Sequence, residues 1–417
     1  MFRKVSIVLF VIINLTISAN VYNNIEKIAQ TIDTYNKKII ENQLNTQISE
    51  RDNIKFNPIP SIGLTINQNS YNINFSNDLR NVLFMGKMEQ EKEKEIVKAE
   101  FQKIDIEKEQ IISIFSSILN YMNQKNILNL YNNYYNHFDQ QEREIENEYK
   151  NKQIAYNNYL DNKIIISQYK SDYNNIKNSF ELNKKQFDIL ISQNEEIKNI
   201  SNFSFEEYIR YFLNTYYTSE YLENFVQKIQ EINEFYFITL APKYYPNIPT
   251  ISTTLSYENT YDQESPNLAY TLRIGNQIEL ANKFSLKPEV TISYNDSFNF
   301  SLGLFFETTA SSFKTTEMED LDLLVSEQNN NQLMYVYNIW NAISYLEDSA
   351  KVLSMKLEQL TFLVSSYPDN SQIILEFLRI YSSLENTKAN LAFNCFLLES
   401  EMKATEKKYE LINNNVF

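Results

Sequence analysis

Two spacings of apolar residues alternate along this chain, and each appears twice. Around residues 62–75, and again from 251 to 306, every second position is apolar. Ile62, Leu64 and Ile66 lead to Tyr71, Ile73 and Phe75. In the later region Ile251, Leu255 and Tyr257 are followed by Tyr270, Leu272, Ile274, Ile278 and Leu280, then by Leu286, Val290, Ile292 and Tyr294, then by Phe298, Phe300, Leu302, Leu304 and Phe306. Thr250, Ser252, Thr254, Thr271, Arg273, Thr291 and Ser293 fill the alternate positions. Alternation of this kind marks strands with one apolar and one polar face. It predicts two strands in the first half and four in the second, with 270–280 as one of them.

Elsewhere the spacing is helical. Residues 79–150 and 312–366 read as unbroken helices, without proline and with Gly86 as the one glycine. At 1.5 Å per residue they would span roughly 110 and 80 Å. Two heptad seams follow. One runs Ile166, Tyr169, Tyr173, Ile176, Phe180, Phe187, Leu190; the other runs Ile374, Phe377, Tyr381, Leu384, Leu391, Cys395, Leu398, Met402, Tyr409. Spacings of three and four are the knobs-into-holes pattern of packed helices. Each seam starts just after a matching segment, Tyr159-Leu160-Asp161-Asn162 in the first half and Tyr367-Pro368-Asp369-Asn370 in the second. Asn tolerates the left-handed conformation that ends many helices, so both segments are predicted to be tight turns between antiparallel helices. An opening helix over 22–52 and a linking helix over 203–238 complete the pattern.

The recurrence is ordered. Ile59-Pro60-Ser61-Ile62 has its echo in Ile248-Pro249-Thr250-Ile251, each with a further proline just upstream, Pro58 and Pro246. Asn74-Phe75-Ser76 has its echo in Asn299-Phe300-Ser301, and the two turn segments follow in the same order. Internal repetition of this kind implies a duplicated architecture. The expected division is a first repeat over 19–240, with a β-hairpin at 58–77 and a turn near 161, and a second over 241–417, with a β region at 249–308 and a turn near 369. Ahead of both, Arg3 and Lys4 precede the apolar run Val5–Ile17 and then Ser18-Ala19-Asn20. That is the layout of a signal peptide, over residues 1–18, with cleavage after Ser18 or Ala19.

Composition narrows the function. Among 417 residues there are 4 Gly, 8 Pro, 30 Tyr and 27 Phe, so tight turns are few and the elements long. A net charge of −15 offers no basic footprint for nucleic acid. One Cys, Cys395, cannot form an internal disulfide, and one His, His137, lies in a polar helical stretch far from it. No catalytic residue, metal-ligand spacing or cofactor motif can be assigned. No later stretch holds an apolar run of 18 residues, so any passage through a membrane would be as a β-barrel. Four to six strands are too few to close a barrel around an open lumen, which points to several chains sharing one.

This layout resembles the outer-membrane efflux protein family, the TolC-like channels. The duplicated proline-flanked strand openings (Pro58-Ile59-Pro60 and Pro246 to Pro249) and the turn segments at 159–167 and 367–374 carry the resemblance. It departs from the family in two respects: Asn162 and Asn370 stand where members often have Gly, and the second strand region is longer than the family's pair. The resemblance implies a mainly α fold with β. Long coiled-coil helices would form a periplasmic α-barrel, continued by a transmembrane β-barrel shared by a homotrimer. It implies residence in the outer membrane with extension into the periplasm, and passive export of substrates in a tripartite efflux or type I secretion system. The partners it implies are a periplasmic adaptor (membrane fusion) protein, an inner-membrane pump of ABC or RND type, and outer-membrane lipid. Asp161, Asn162, Asp369 and Asn370 would form the periplasmic gate. Leu272, Ile274, Ile292, Phe300 and Leu304 would face lipid, and Tyr169, Tyr173, Ile176, Phe377, Leu384 and Leu391 would line the coiled-coil seam. A secreted coiled-coil stalk or adhesin is the alternative. It accounts for the helices and leader, but not for strands recurring at matching positions.

Overall fold

The computed structural model describes residues 21–32, 34–54, 61–66, 70–78, 85–200, 204–240, 250–260, 267–275, 278–281, 284–295, 297–308 and 318–414. The signal-peptide reading and the proline-flanked openings before both strand regions lie outside them. The chain forms two compact units. One comprises Met1–Lys37, Ile104–Ile232 and Asn329–Glu410, and the other Lys38–Lys103, Asn233–Gln328 and Leu411–Phe417.

The first unit is helical. Its elements come from α1 (Val21–Thr31), α3 (Met85–Lys150), α4 (Tyr156–Gln193), the single turn α5 (Ile197–Ile200), α6 (Phe205–Thr215), α7 (Ser219–Glu234), α8 (Met318–Ser366) and α9 (Ser371–Asn414). Its larger core gathers around Phe396. That ring stacks on Phe115 of α3 at 3.8 Å between centroids, with Tyr22 of α1 at 5.5 Å and Tyr208 of α6 at 6.2 Å. Cys395 is fully buried beside it. A second core joins Ile127, Tyr131 and Phe138 of α3 to Ile166 and Tyr169 of α4 and to Ile374, Leu375 and Leu378 of α9. Phe138 stacks on Tyr169 at 3.9 Å, and the Tyr169 hydroxyl donates to the Tyr131 carbonyl at 2.7 Å. Of the seam positions, Tyr169, Leu384 and Leu391 are buried, and Tyr173, Ile176 and Phe377 are half-buried.

A polar layer lies between the two cores along α3 and α9. Buried Asn123 donates to Asn386 at 2.7 Å, and Asn126 donates to Glu385 at 3.4 Å. Apolar residues one helical turn to either side cannot satisfy these groups, so sliding α3 along α9 would strand them. Such layers fix the register of packed helices.

Where the sequence pattern predicts one continuous helix, the structure twice shows two. The opening helix over 22–52 breaks after Thr31 into α1 and α2 (Tyr35–Ile54). The Thr34 hydroxyl accepts from the Lys37 amide at 3.3 Å, an N-cap that starts α2. The linking helix over 203–238 divides into α6 and α7, followed by a π-turn over Phe235–Thr239. Thr218 caps α7 by accepting from the Tyr221 amide. Ser204 caps α6, with Glu206 and Glu207 in its first turn, the pattern of a capping box.

The second unit contains one antiparallel sheet of seven strands: β1 (Ser61–Ile66), β2 (Ser70–Asp78), β3 (Thr250–Thr260), β4 (Asn267–Gly275), β5 (Ile278–Ala281), β6 (Phe284–Asn295) and β7 (Ser297–Thr308). The stretch 270–280, predicted to be one strand, forms β4 and β5. Both pair with β6, on the edge that β7 leaves free. The sheet is therefore six strands wide, with β1 and β7 at its margins. Helix–helix contacts in this unit are tied by charge: Arg51 of α2 reaches Glu93 of α3 at 2.7 Å, and Lys92 reaches Glu50 at 2.9 Å.

Truncating a buried seam residue removes transfer energy and leaves a cavity. Leu391→Ala is expected to cost about 2–5 kcal/mol, while exposed Asn390→Ala should stay within about 0.5 kcal/mol. Paired denaturant titrations of the two variants check this difference.

Candidate functional site: the hairpin tips and the sheet

Helices α3 and α4 form the first hairpin, and α8 and α9 the second. The turn of the first hairpin is not at Asp161-Asn162, which lie inside α4, but at residues 151–155. The Gln153 amide bonds to the Glu148 carbonyl at 2.8 Å and the Lys152 amide to the Tyr149 carbonyl at 3.0 Å. This 6→1 and 5→2 pair is a Schellman closure. Its left-handed residue is Lys152, at φ 59°, the one non-glycine residue with positive φ among those described. The second hairpin does turn at Tyr367–Asn370. There Asn370, rather than Asp369, caps α9. Its side-chain oxygen accepts from the amides of Gln372 and Ile373 at 3.1 and 3.2 Å.

The matching segments share a level even though only one of them is a turn. Asn162, Asp369 and Asn370 line a single pocket of about 430 Å³ together with Gln141, Glu144 and Glu148. The Gln141 amide donates to the Asp369 carbonyl at 2.9 Å. Asp161 is exposed beside it. The first hairpin therefore continues past the second hairpin's turn by the nine residues that follow Gln141 up to Lys150, roughly 14 Å of helix.

Ion pairs outside the heptad seams hold this end together. Lys163 of α4 binds Glu146 of α3 at 2.6 Å, and Lys170 binds Glu142. The Lys163 hydrogen bond and charge hold the Glu146 carboxyl below its ordinary value. Arg379 of α9 reaches Asp172 of α4 at 2.8 Å, which links the two hairpins. Among the described residues no group of three or more His, Cys, Asp or Glu side chains could hold a metal ion.

In the sheet, the register aligns the apolar positions of every strand. One row runs Ile62, Phe75, Leu255, Tyr270, Tyr294, Phe298 across the full width. The next runs Leu272, Ile292, Phe300, and beyond it Ile251, Ile274, Val290, Leu302. The other face carries rows such as Ser61, Ser76, Thr254, Thr271, Ser293, Asn299. Leu304 pairs with Pro288 on the apolar side; the side chains of Leu272, Ile274 and Leu304 lie outside the described residues. Among the described apolar side chains, Ile62, Leu64 and Ile66 of β1 and Phe300 and Leu302 of β7 are each 62–68% exposed, and Ile73, Val290 and Ile292 on the inner strands are half-buried. No helix among the described residues is long and apolar enough to cross a membrane.

The sequence matches no protein-family model and no curated protein. Solved structures do match. The outer-membrane channel OprN aligns over 92% of this chain and 91% of its own, with a TM-score of 0.54 at 8% identity. A membrane protein from Pseudomonas aeruginosa aligns over 92% of both chains, with a TM-score of 0.50 at 10% identity. The Campylobacter jejuni CmeC outer membrane channel aligns over 94% of this chain and 89% of its own, at 11% identity and a TM-score of 0.49. The chain has the TolC-like fold, mainly helical with a strand region.

Lys152 holds a conformation that costs a side-chain-bearing residue roughly 1 kcal/mol and glycine almost nothing. Lys152→Gly should therefore raise the melting temperature slightly, and Lys152→Val should lower it. Thermal unfolding followed by circular dichroism reads both.

Proposed function

We propose that this protein is an outer-membrane exit duct, a passive conduit for exported substrates. The carrying observation is the sheet: a row of apolar positions crosses six strands on one face, a row of Ser, Thr and Asn crosses the other, and the described apolar side chains of β1 and β7 are open. In water such a surface invites aggregation. In a bilayer it is the arrangement of a barrel wall, with lipid on one side and a wet lumen on the other. Strands of 11 and 12 residues, such as β3, β6 and β7, rise about 36–40 Å, enough to cross a hydrocarbon core when tilted.

The open margins β1 and β7 cannot remain unpaired in hydrocarbon, where each orphaned backbone group costs several kcal/mol. Further copies of the chain supply the missing strands, and a homotrimer closes the ring. The helical hairpins support the same reading. Tyr345, Val352, Met355 and Phe362 on α8, and Leu182 and Ile189 on α4, are 58–72% exposed in the single chain. Seams of this kind suit neighbouring protomers. In this reading each half, 19–240 and 241–417, contributes strands and one hairpin, and the duct passes from the outer membrane into the periplasm. The hairpin tips then meet a periplasmic adaptor and an inner-membrane pump of ABC or RND type. Asp161, Asp369, Glu144 and Glu148 place carboxylates at one level of the hairpins, where Asn162 and Asn370 also stand. Three copies would ring the mouth with them and favour cations.

Reconstitution into planar bilayers is the central test. A three-chain particle that conducts ions fits the proposal; a monodisperse monomer without conductance sinks it. At the wall, Leu272→Arg near the bilayer midplane should cost insertion about 2–4 kcal/mol, whereas Thr271→Arg on the lumen face should be milder. Equal damage from both would contradict the assigned faces. At the mouth, Asp161→Asn with Asp369→Asn should reduce cation selectivity. Unchanged selectivity and conductance in single-channel recordings would leave both aspartates a structural role only.

A further inference from the structure

Glu399 lies in the larger helical core at 2% exposure. It forms no ion pair among the described residues. Its one hydrogen bond comes from the Tyr208 hydroxyl of α6, at 2.7 Å. The titratable groups facing it are four phenols, one thiol and one cation. Tyr22 comes from α1, Tyr208 and Tyr216 from α6 and its C-cap, and Tyr221 from α7. Cys395 and Lys403 stand a turn away on α9 itself. Lys403 is engaged with Glu406 at 3.7 Å, and Lys108 of α3 is taken by Glu401 at 2.9 Å. Among the described residues no ion pair neutralises Glu399, and burial pushes its carboxyl up to about 7. The Tyr208 hydrogen bond and Lys403 offset this only in part.

We infer that Glu399 is a pH-sensitive latch on the linking helices: uncharged, it stays buried between α9 and α6 beneath the Tyr208 hydroxyl, and ionised, its need for hydration outweighs that bond and loosens α6 so that water can reach the carboxylate. The inference does not depend on the duct reading, because it concerns the packing of α6 on α9 whatever the sheet does. Its sign follows from proton counting. In the closed state the group keeps a proton that an exposed carboxyl would release above its ordinary 4.5. Closure is thus tightest at acid pH, weakens across the window from there to about 7, and levels off above it. The other acid on α6 that responds to its partner works in the opposite direction. Glu206 is held below its ordinary value by Lys388, at 2.5 Å, so its pair weakens as pH falls. The Glu399 effect is therefore isolated by substitution at 399.

Amide hydrogen exchange of residues 205–215 in the full chain in detergent, corrected for the intrinsic pH dependence of exchange, tests the latch. Between about pH 5 and about pH 8 the opening of α6 should rise at least about tenfold. In Glu399→Gln that rise should vanish. Tyr208→Phe removes the bond that favours the charged form, so the upper end of the window should move to higher pH. A wild-type α6 whose opening does not change with pH would overturn the inference. So would a Glu399→Gln protein with the same rise, or a Tyr208→Phe protein with an unmoved window.

Discussion

The stack of Phe115 on Phe396 organises the helical unit. Three other elements reach α9 around it: α1 through Tyr22, α6 through Tyr208, and α3 through Phe115 itself. An aromatic pair contributes about 0.5–1.5 kcal/mol beyond the area it buries, and each of these rings is also almost wholly removed from water. The arrangement has a cost at Glu399. Residues three apart share a helix face, so the face of α9 that presents Phe396 to the core must also present Glu399. The buried carboxyl and the aromatic hub are consequences of one helix orientation.

The helical spacing was legible in the sequence, but its interruptions were not. Thr34 and Thr218 sit inside runs whose apolar pattern continues on either side, and a single hydroxyl bonded to an amide three residues on starts a new helix at each. A threonine in such a run reads as an ordinary surface position unless its backbone is known to leave the helix. The first hairpin's turn was misplaced for a related reason. Lys152 occupies a site where glycine or asparagine is the usual signal, so residue type pointed to Asn162 instead. A better signal was available in the charges. Glu146 pairs with Lys163 and Glu142 with Lys170, and both pairs are mirrored about residues 154–156, where the chain reverses.

The strand region was easier to read. A period of two survives any error in strand length, because each residue's face is fixed by parity alone. Leu272, Ile292 and Phe300 fall in one row of the paired strands, as the alternation implies. The interruption at 276–277 was hidden because Ile278 and Leu280 keep the parity of Ile274 across it. The polar layer of Asn123, Asn126, Glu385 and Asn386 was not visible as a unit, since its members lie about 260 residues apart in the chain.

The unequal length of the two hairpins has a geometric consequence. Because α3 runs on past the point where Gln141 meets the turn at Asp369, the end of the helical unit is stepped. Anything approaching along the hairpins touches Lys152 and Gln153 first, and reaches Pro368 by passing the level of Tyr149, whose ring stacks on Tyr159 at 4.4 Å and lies tilted against Tyr156 at 6.0 Å. A flat surface can engage only the taller tip. A body that grips both must carry a ledge of matching height, and so can seat in one rotational setting but not in the one that exchanges the two halves.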